Sequence, residues 1–550
     1  MAKARVYICC AVLLGVVVTV VCFYLFMRRE CPAGTFSHAA VAADSQRCSE
    51  IGRNILQQGG SAVDGAIAAL LCTSIVNPQS MGLGGGSIFT VMDRSGNVKI
   101  INGREKAPLK FKPDLLRSCP ETFQMLLGND PGSQWIGVPG ELRAYEEAHR
   151  LYGKLPWAAL FQPTIQLARE GFPIPDIQGR NIRYTNQTRA LRKFFSDKDG
   201  KLLETGDIVR FEKLADTLEI IANHGADAFY TGRVAEDLII DIQEAGGTLT
   251  LQDLAAYNVT VTDAWAVPVG EYQMYIPPPP AGGVLLSFVV NVLKGYGLNS
   301  ASLQDEQKTL TYHRYIEAFK FANGLKKQIY PQFSKEEAVR KFTKDSFADR
   351  IRTLISSNET HGPQYYNITP HLDSVGTSHV SVLHEDGSAV SVTSSINHSF
   401  GSRILSPRTG VILNDHLSDF CGRVDHITPG DQPPSSMAPT VLKSPSKTLV
   451  IGASGDTMIT SAITSTLMNH LWFGKSLQEA IATPVVYVDS TNAVKFEPNF
   501  DERVIEALKA LGHQRETTSM LISVVNAVEK DGDCISAVSD ARKLGQAAGY

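Results

Sequence analysis

Little in this chain points toward nucleic acid, zinc or a nucleotide phosphate. It has no long basic run and no acidic tail, and its formal net charge is only −4 over 550 residues. A nucleic-acid partner needs a concentrated basic surface and is therefore not expected. No CxxC pair and no Cys/His cluster at metal-ligand spacing occurs, so neither a metal site nor a cofactor is called for. No stretch repeats at a period of 20–50 residues, which argues against a solenoid or propeller. The one glycine-rich run, Met81-Gly-Leu-Gly-Gly-Gly86, follows an apolar helical segment rather than a strand, and no Lys-Ser/Thr pair closes it. It is not a phosphate loop; a tight backbone region beside a substrate fits it better.

What is present is an ordinary globular composition, 43% hydrophobic and 20% charged, so function has to be read from local chemistry. Val6 to Met27 carries no charge. Roughly twenty apolar residues span a bilayer. A cleaved signal peptide has a shorter apolar core and ends in small residues, whereas this run ends in Phe26-Met27-Arg28-Arg29. The reading is a tail at 1–5, a transmembrane anchor at 6–27 and a body after it. Acceptor sequons at Asn186, Asn258, Asn358 and Asn367 put that body outside the cell, a single-pass type II arrangement in the cell membrane. Of nine cysteines, Cys31, Cys48, Cys72, Cys119, Cys421 and Cys534 lie outside the anchor, an even number in an oxidising compartment, which suits disulfides.

The body opens with two helices. The first runs near Ser49 to Gln58. The second starts at Ser61, with Asp64 three residues on, and stops before Pro78. A hairpin follows, Ile88 to Met92 and Val98 to Ile101. The stretch from Arg104 to Leu298 reads as mostly helical, interrupted by a rigid internal loop, Pro277-Pro-Pro-Pro-Ala-Gly-Gly283. From Ser378 the texture turns to strands. Val380-Ser-Val-Leu383 and Ala389-Val-Ser-Val-Thr393 flank a turn at His384-Glu-Asp-Gly387. A turn centred near Glu385 or Asp386 sets Thr377 opposite Ser395, and Asn397 on the same side.

A threonine hydroxyl is a poor nucleophile at neutral pH unless a base takes its proton. A threonine that begins a chain supplies that base in its own amine, whose ordinary pKa is about 7.7–8.0. Gly376-Thr377 offers a bond whose cleavage would create one. Gly-Thr pairs are common, and alone this one reads as a turn before a strand.

The wider pattern says more. The run from Thr377-Ser-His-Val to Asn397-His-Ser-Phe-Gly401 closely resembles the small-subunit signature of the γ-glutamyltransferases. Ala39-Ala-Val-Ala-Ala-Asp44, Asn77-Pro-Gln-Ser-Met-Gly-Leu-Gly-Gly-Gly86, Asn102-Gly-Arg-Glu105, Gly137-Val-Pro-Gly-Glu-Leu-Arg143, Ser435-Ser-Met437 and Ala547-Ala-Gly-Tyr550 resemble the same family in the same order. The resemblance implies an α/β fold, the four-layer αββα sandwich of an N-terminal-nucleophile hydrolase. It implies a proenzyme that cuts itself at Gly376-Thr377 into a large subunit, 28–376, and a small catalytic one, 377–550, held as a heterodimer. The implied substrates are glutathione and its S-conjugates, with water, amino acids or dipeptides as acceptors. Pro78-Gln-Ser-Met-Gly-Leu83 and Ser406-Pro-Arg-Thr-Gly410 look most like the branch that converts leukotriene C4 to leukotriene D4. Cys48 and Cys72 match positions that pair in the family; the other four cysteines stay unassigned.

Residue roles carry over by motif. Thr377 is the nucleophile and Ser395 its support, in place of the family's usual threonine. Arg104, Ser435 and Ser436 bind the donor's α-carboxylate; Asn397 and Asp419 bind its α-amino group. Two departures stand out. His416 replaces a glutamate that binds the ammonium, and a protonated histidine would repel that cation. Asp456 replaces the second glycine of the Gly455-Asp456 pair whose N–H groups form the oxyanion hole. These changes keep open an alternative, a cell-surface paralogue of low or no activity.

Overall fold

The computed structural model describes residue 15 and residues 31–119, 132–329, 336–368, 376–516 and 523–550. The tail at 1–5 and the apolar run at 6–27, Gly15 apart, lie outside the described residues. Among the described residues no helix is long and apolar enough to cross a membrane.

Two antiparallel sheets form the centre. The first has seven strands, in the order Ala548–Gly549, Ala39–Ala42, Ser378–His384, Ala389–Ser395, Gly86–Met92, Val98–Gly103 and Thr260–Asp263. The second has six, in the order Cys534–Ser539, Val524–Asp531, Lys447–Ser454, Thr440–Lys443, Tyr272–Ile276 and Trp265–Val269. Helices Gln46–Gln57, Ala62–Val76 and Glu141–Tyr152 cover the outer face of the first sheet. Gly283–Lys294 and Ile459–Leu467 cover the second. Between the sheets pack Ala40, Ala42, Met92, Leu383, Val441 and Val450. The layers thus run helix, sheet, sheet, helix.

Local chemistry explains the first elements. Ser61 and Asp64 form a complete capping box at the start of Ala62–Val76, and that helix stops at Asn77, before Pro78. In the central hairpin Ser378 pairs with Ser394 and Leu383 with Ala389, the register expected from the turn. Alternation then sorts the side chains. Val380, Val382, Val390 and Val392 face the helices. The alternate positions, 377 to 383 and 389 to 395 by twos, face the other sheet. His379 lies on that inner face, bonded to Thr393 and Ser381, and burial pushes its pKa down to about 3. It is a neutral core histidine.

One expectation is corrected. The stretch read as mostly helical also contains the strands Thr260–Asp263, Trp265–Val269 and Tyr272–Ile276. They are short, and Pro268 argues against a strand. Trp265–Val269 is an edge strand, however, so a missing N–H on its outer side costs no ladder bond. The proline-rich loop is internal, as expected. Pro280 O accepts from Ser435 N at 2.9 Å and Gly282 N donates to Met437 O at 2.8 Å, which pins the 435–437 segment.

Candidate active site

Thr377 directly precedes the interior strand Ser378–His384 of the first sheet and is 2% exposed. Its Oγ1 donates to Ser395 Oγ at 3.2 Å, and Ser395 Oγ also accepts from Asn397 N at 2.8 Å. Ser80 O, just before the glycine run, accepts from both Thr377 N and Ile396 N at 3.2 Å. The run itself packs against the site strands: a Cβ on Gly85 would lie 2.1 Å from Ser395 O. The backbone at the junction is unusual. Thr377 has φ +82°, a left-handed conformation that β-branched residues avoid. Gly376 fits only because it has no side chain, since a Cβ there would lie 1.9 Å from Asn397 O. The Gly376 carbonyl accepts from Gly455 N at 3.0 Å. Gly455 and Asp456 lie just past the end of the Lys447–Ser454 strand, and Asp456 holds φ +42°.

A polar chain leads from the threonine to a charged cluster. Asn397 Nδ2 donates to Ser418 Oγ at 3.0 Å, and the next residue, Asp419, pairs with Arg104 at 2.5 Å. Both members of that pair are buried. Arg104 also donates from Nε to Pro433 O at 3.1 Å and from Nη2 to Pro434 O at 3.0 Å, beside buried Ser435 and Ser436. Gln432 Nε2 and Tyr257 OH both donate to the Arg104 carbonyl and hold its backbone. A buried guanidinium beside a buried carboxylate is complementary to a zwitterionic amino-acid head group. Burial, opposed by Arg104, raises the Asp419 carboxyl above its ordinary pKa. His416 and Asp456 lie within electrostatic range of Asp419. The residues singled out from sequence thus fall into one buried neighbourhood.

The environment of His416 differs from the expectation. Burial, reinforced by Arg104, pushes its pKa down to about 3, so the ring is neutral at physiological pH. It does not present a repelling cation. Its Nδ1 instead lies 2.9 Å from Glu105 Oε1. His398, paired with Asp415 at 2.7 Å, is shifted upward against its burial by that carboxylate, with Asp419 and Asp456 adding to the effect.

Sequence reasoning missed Lys543. Its buried ammonium donates to Thr377 O at 2.7 Å, to Asp44 Oδ2 at 2.8 Å and to Ser454 Oγ at 2.8 Å. It ties the nucleophile's own carbonyl to Asp44, just past the Ala39–Ala42 strand, and to the end of the strand before Gly455. A lone lysine near a C-terminus carries no sequence signal for this. Glu105 stands in the sequence only as the last residue of the Asn102–Glu105 motif, with no signal of its own. The disulfides are Cys48–Cys72, Cys31–Cys534 and Cys119–Cys421. Among the described residues, one cluster away from this site has metal-ligand chemistry: His313, Glu317 and His513. Its groups are already engaged, His313 Nδ1 with His513 Nε2 at 2.8 Å and His513 Nδ1 with the Lys320 ammonium at 3.0 Å. A cation already stands there.

The family model for gamma-glutamyltranspeptidase matches residues 48–550. The chain is 44% identical to glutathione hydrolase 5 proenzyme of Mus musculus over 98% of both chains. It is 43% identical to the protein of that name from Homo sapiens over 95% of both. Cephalosporin acylase from Bacillus halodurans shares the fold, with a TM-score of 0.80 at 24% identity over 95% of this chain and 97% of that one. The gamma-glutamyltranspeptidase of Helicobacter pylori superposes with a TM-score of 0.52 at 26% identity, covering 58% of this chain and 92% of that one. With the family model spanning nearly the whole described body, the chain belongs to the gamma-glutamyltranspeptidase family.

Proposed function

We propose that this protein is a γ-glutamyl transferase and glutathione hydrolase of the N-terminal-nucleophile type, which activates itself by cutting its chain between Gly376 and Thr377. The observation that carries the reading is the junction itself. A β-branched residue at φ +82° stores conformational strain, of order 1–3 kcal/mol. The preceding carbonyl rests on Gly455 N–H, and the threonine hydroxyl on Ser395. Attack of Thr377 Oγ1 on the Gly376 carbonyl carbon breaks the C–N bond as the nitrogen takes up the hydroxyl proton. Water then hydrolyses the resulting ester, leaving a carboxylate on Gly376 and a free amine on Thr377. Gly455 N–H stabilises the oxyanion in this step, and again when substrate takes the place of Gly376.

In the mature enzyme the Thr377 amine removes the hydroxyl proton. Thr377 Oγ1 attacks the γ-amide carbon of glutathione, and the cysteinylglycine amine leaves with a proton. Water releases glutamate from the acyl-enzyme; an amino acid or dipeptide amine instead yields a transfer product. Arg104 with Ser435 and Ser436 holds the α-carboxylate, and Asp419 with Asn397 the ammonium. Relatives named glutathione hydrolase support the donor, and the reading extends to S-conjugates such as leukotriene C4. Residues 6–27 anchor the chain with its body outside the cell. Three disulfides and the exposed Asn258, Asn358 and Asn367 fit that compartment, while Asn397, whose Asn-His-Ser also matches the acceptor pattern, is buried in the site.

A weakly active paralogue is the second reading. Asp456 favours it, as a carboxylate on a residue with positive φ next to the oxyanion donor. His416 still lacks the carboxylate of the family position, but being neutral it adds no repulsion. Glutamate release from glutathione by the purified protein separates the two readings. Thr377→Ala is expected to stay uncut and inactive. Turnover by uncut Thr377→Ala protein refutes the mechanism.

A further inference from the structure

Two buried side chains beside the head-group cluster face each other. Glu105 follows Arg104, and Arg104 Nη1 lies 3.4 Å from its Oε2. Neither Glu105 oxygen has a hydrogen-bond partner, nor has His416 Nδ1, although Oε1 and Nδ1 are 2.9 Å apart. They are in contact without hydrogen-bond alignment, as is common before a ligand tightens a site. His416 begins the short helical turn that carries Asp419. The two side chains interact electrostatically across that turn.

Resting on the γ-glutamyl reading, we propose that Glu105 is a specificity-determining positioning residue for the ammonium end of the donor. It sets the tautomer of a neutral His416, whose Nε2 lone pair then accepts a hydrogen bond from the ammonium beside Asp419. The dyad does the work of a direct carboxylate through an imidazole. An ionised Glu105 accepts from Nδ1–H and leaves Nε2 an acceptor. A protonated Glu105 donates to Nδ1, which moves the ring proton to Nε2 and turns a donor toward a cation. Burial pushes the Glu105 carboxyl up to about 7, so this exchange falls near neutrality. The ammonium is held above that pH and loses the contact below it.

Other charges face the pair. Arg104, Asp415, Glu141 and Tyr257 surround Glu105; Arg104, Asp415, Asp419 and Asp456 surround His416. Of these, Asp419 also meets the ammonium, and its carboxyl is raised by burial too. The test must separate Asp419 from Glu105.

The experiment compares the inhibition constants of L-glutamate and of glutarate, which lacks the amino group, against hydrolysis of γ-glutamyl-p-nitroanilide from pH 6 to pH 8.5. Their ratio cancels the titration of the Thr377 amine, which both inhibitors share. In the unaltered protein the preference for glutamate is expected to rise about tenfold across this range, one charge-assisted hydrogen bond at the low end of its worth. Glu105→Gln, nearly isosteric, keeps a fixed tautomer and is expected to flatten the profile. His416→Phe is expected to hold the preference at or below its low-pH value throughout. Melting temperatures confirm that both variants are folded. A Glu105→Gln profile that still rises like the unaltered one assigns the titration to Asp419 and overturns the proposal. No hydrolysis of the anilide by the unaltered protein overturns the γ-glutamyl reading, and this inference with it.

Discussion

Replacing Arg104 by lysine tests the recognition of the donor most directly. The guanidinium uses Nε and Nη2 on the carbonyls of Pro433 and Pro434, and Nη2 also reaches Asp419. Those bonds fix the plane of the guanidinium beside the segment that carries Ser435 and Ser436. Lysine keeps the charge but offers one compact ammonium, which cannot reach both carbonyls and a ligand carboxylate in the same geometry. At least one charge-assisted hydrogen bond to the donor is lost, worth about 1.5–3 kcal/mol. At 1.4 kcal/mol per tenfold, the donor KM rises roughly 10- to 150-fold. The recognition end is remote from the reacting amide, so the loss is uniform binding and kcat changes little. The buried carbonyls left unpaired cost stability as well, about 1–3 kcal/mol, which thermal melting reads separately. The assay is hydrolysis of γ-glutamyl-p-nitroanilide, with its decarboxylated analogue, 4-aminobutanoyl-p-nitroanilide, as a second donor. The analogue is expected to bind the variant and the unaltered protein alike. A KM for the full donor within twofold of the unaltered value places the carboxylate elsewhere and refutes the reasoning.

Cys31–Cys534 and Cys119–Cys421 join residues on opposite sides of Gly376-Thr377, so cleaved protein should run as one band on a non-reducing denaturing gel and as two after reduction, the smaller starting at Thr377. Two bands without reductant contradict those pairings. Lys543→Met strands Asp44 in the core and releases the Thr377 carbonyl; a loss of about 3–5 kcal/mol in stability and stalled cleavage are expected from melting and gel assays. His416→Glu, which from sequence alone ought to tighten donor binding, sets a second buried carboxyl against Glu105; its donor KM is expected to be no lower than that of the unaltered protein at pH 7.5. Asp456→Gly relieves a positive φ and removes a negative charge near the oxyanion, so pre-steady-state acylation should speed up with little change in donor affinity. An unchanged acylation rate means the carboxylate is compensated.

What the amino-acid sequence determined by itself is what short-range physics controls. The period-2 alternation and the His384–Gly387 turn set the register of the central hairpin, and with it the meeting of Thr377 and Ser395 across 18 residues. Ser61, Asp64 and Pro78 set the limits of one helix through its own backbone. Tertiary structure alone decided the rest, because folding brings together groups whose spacing along the chain encodes nothing of their distance. Arg104 meets Asp419 across 315 residues, Lys543 reaches Thr377 across 166, and Cys31 joins Cys534 across 503. The strand at Trp265–Val269 tolerates Pro268 because, among the described residues, no strand pairs on its outer side. The charge of His416 was decided in the same way. On paper it is a group that could protonate beside a cation. Buried against Glu105 and near Arg104, it is neutral, because a solvent-free pocket opposes a charge that no single residue of the motif could reveal.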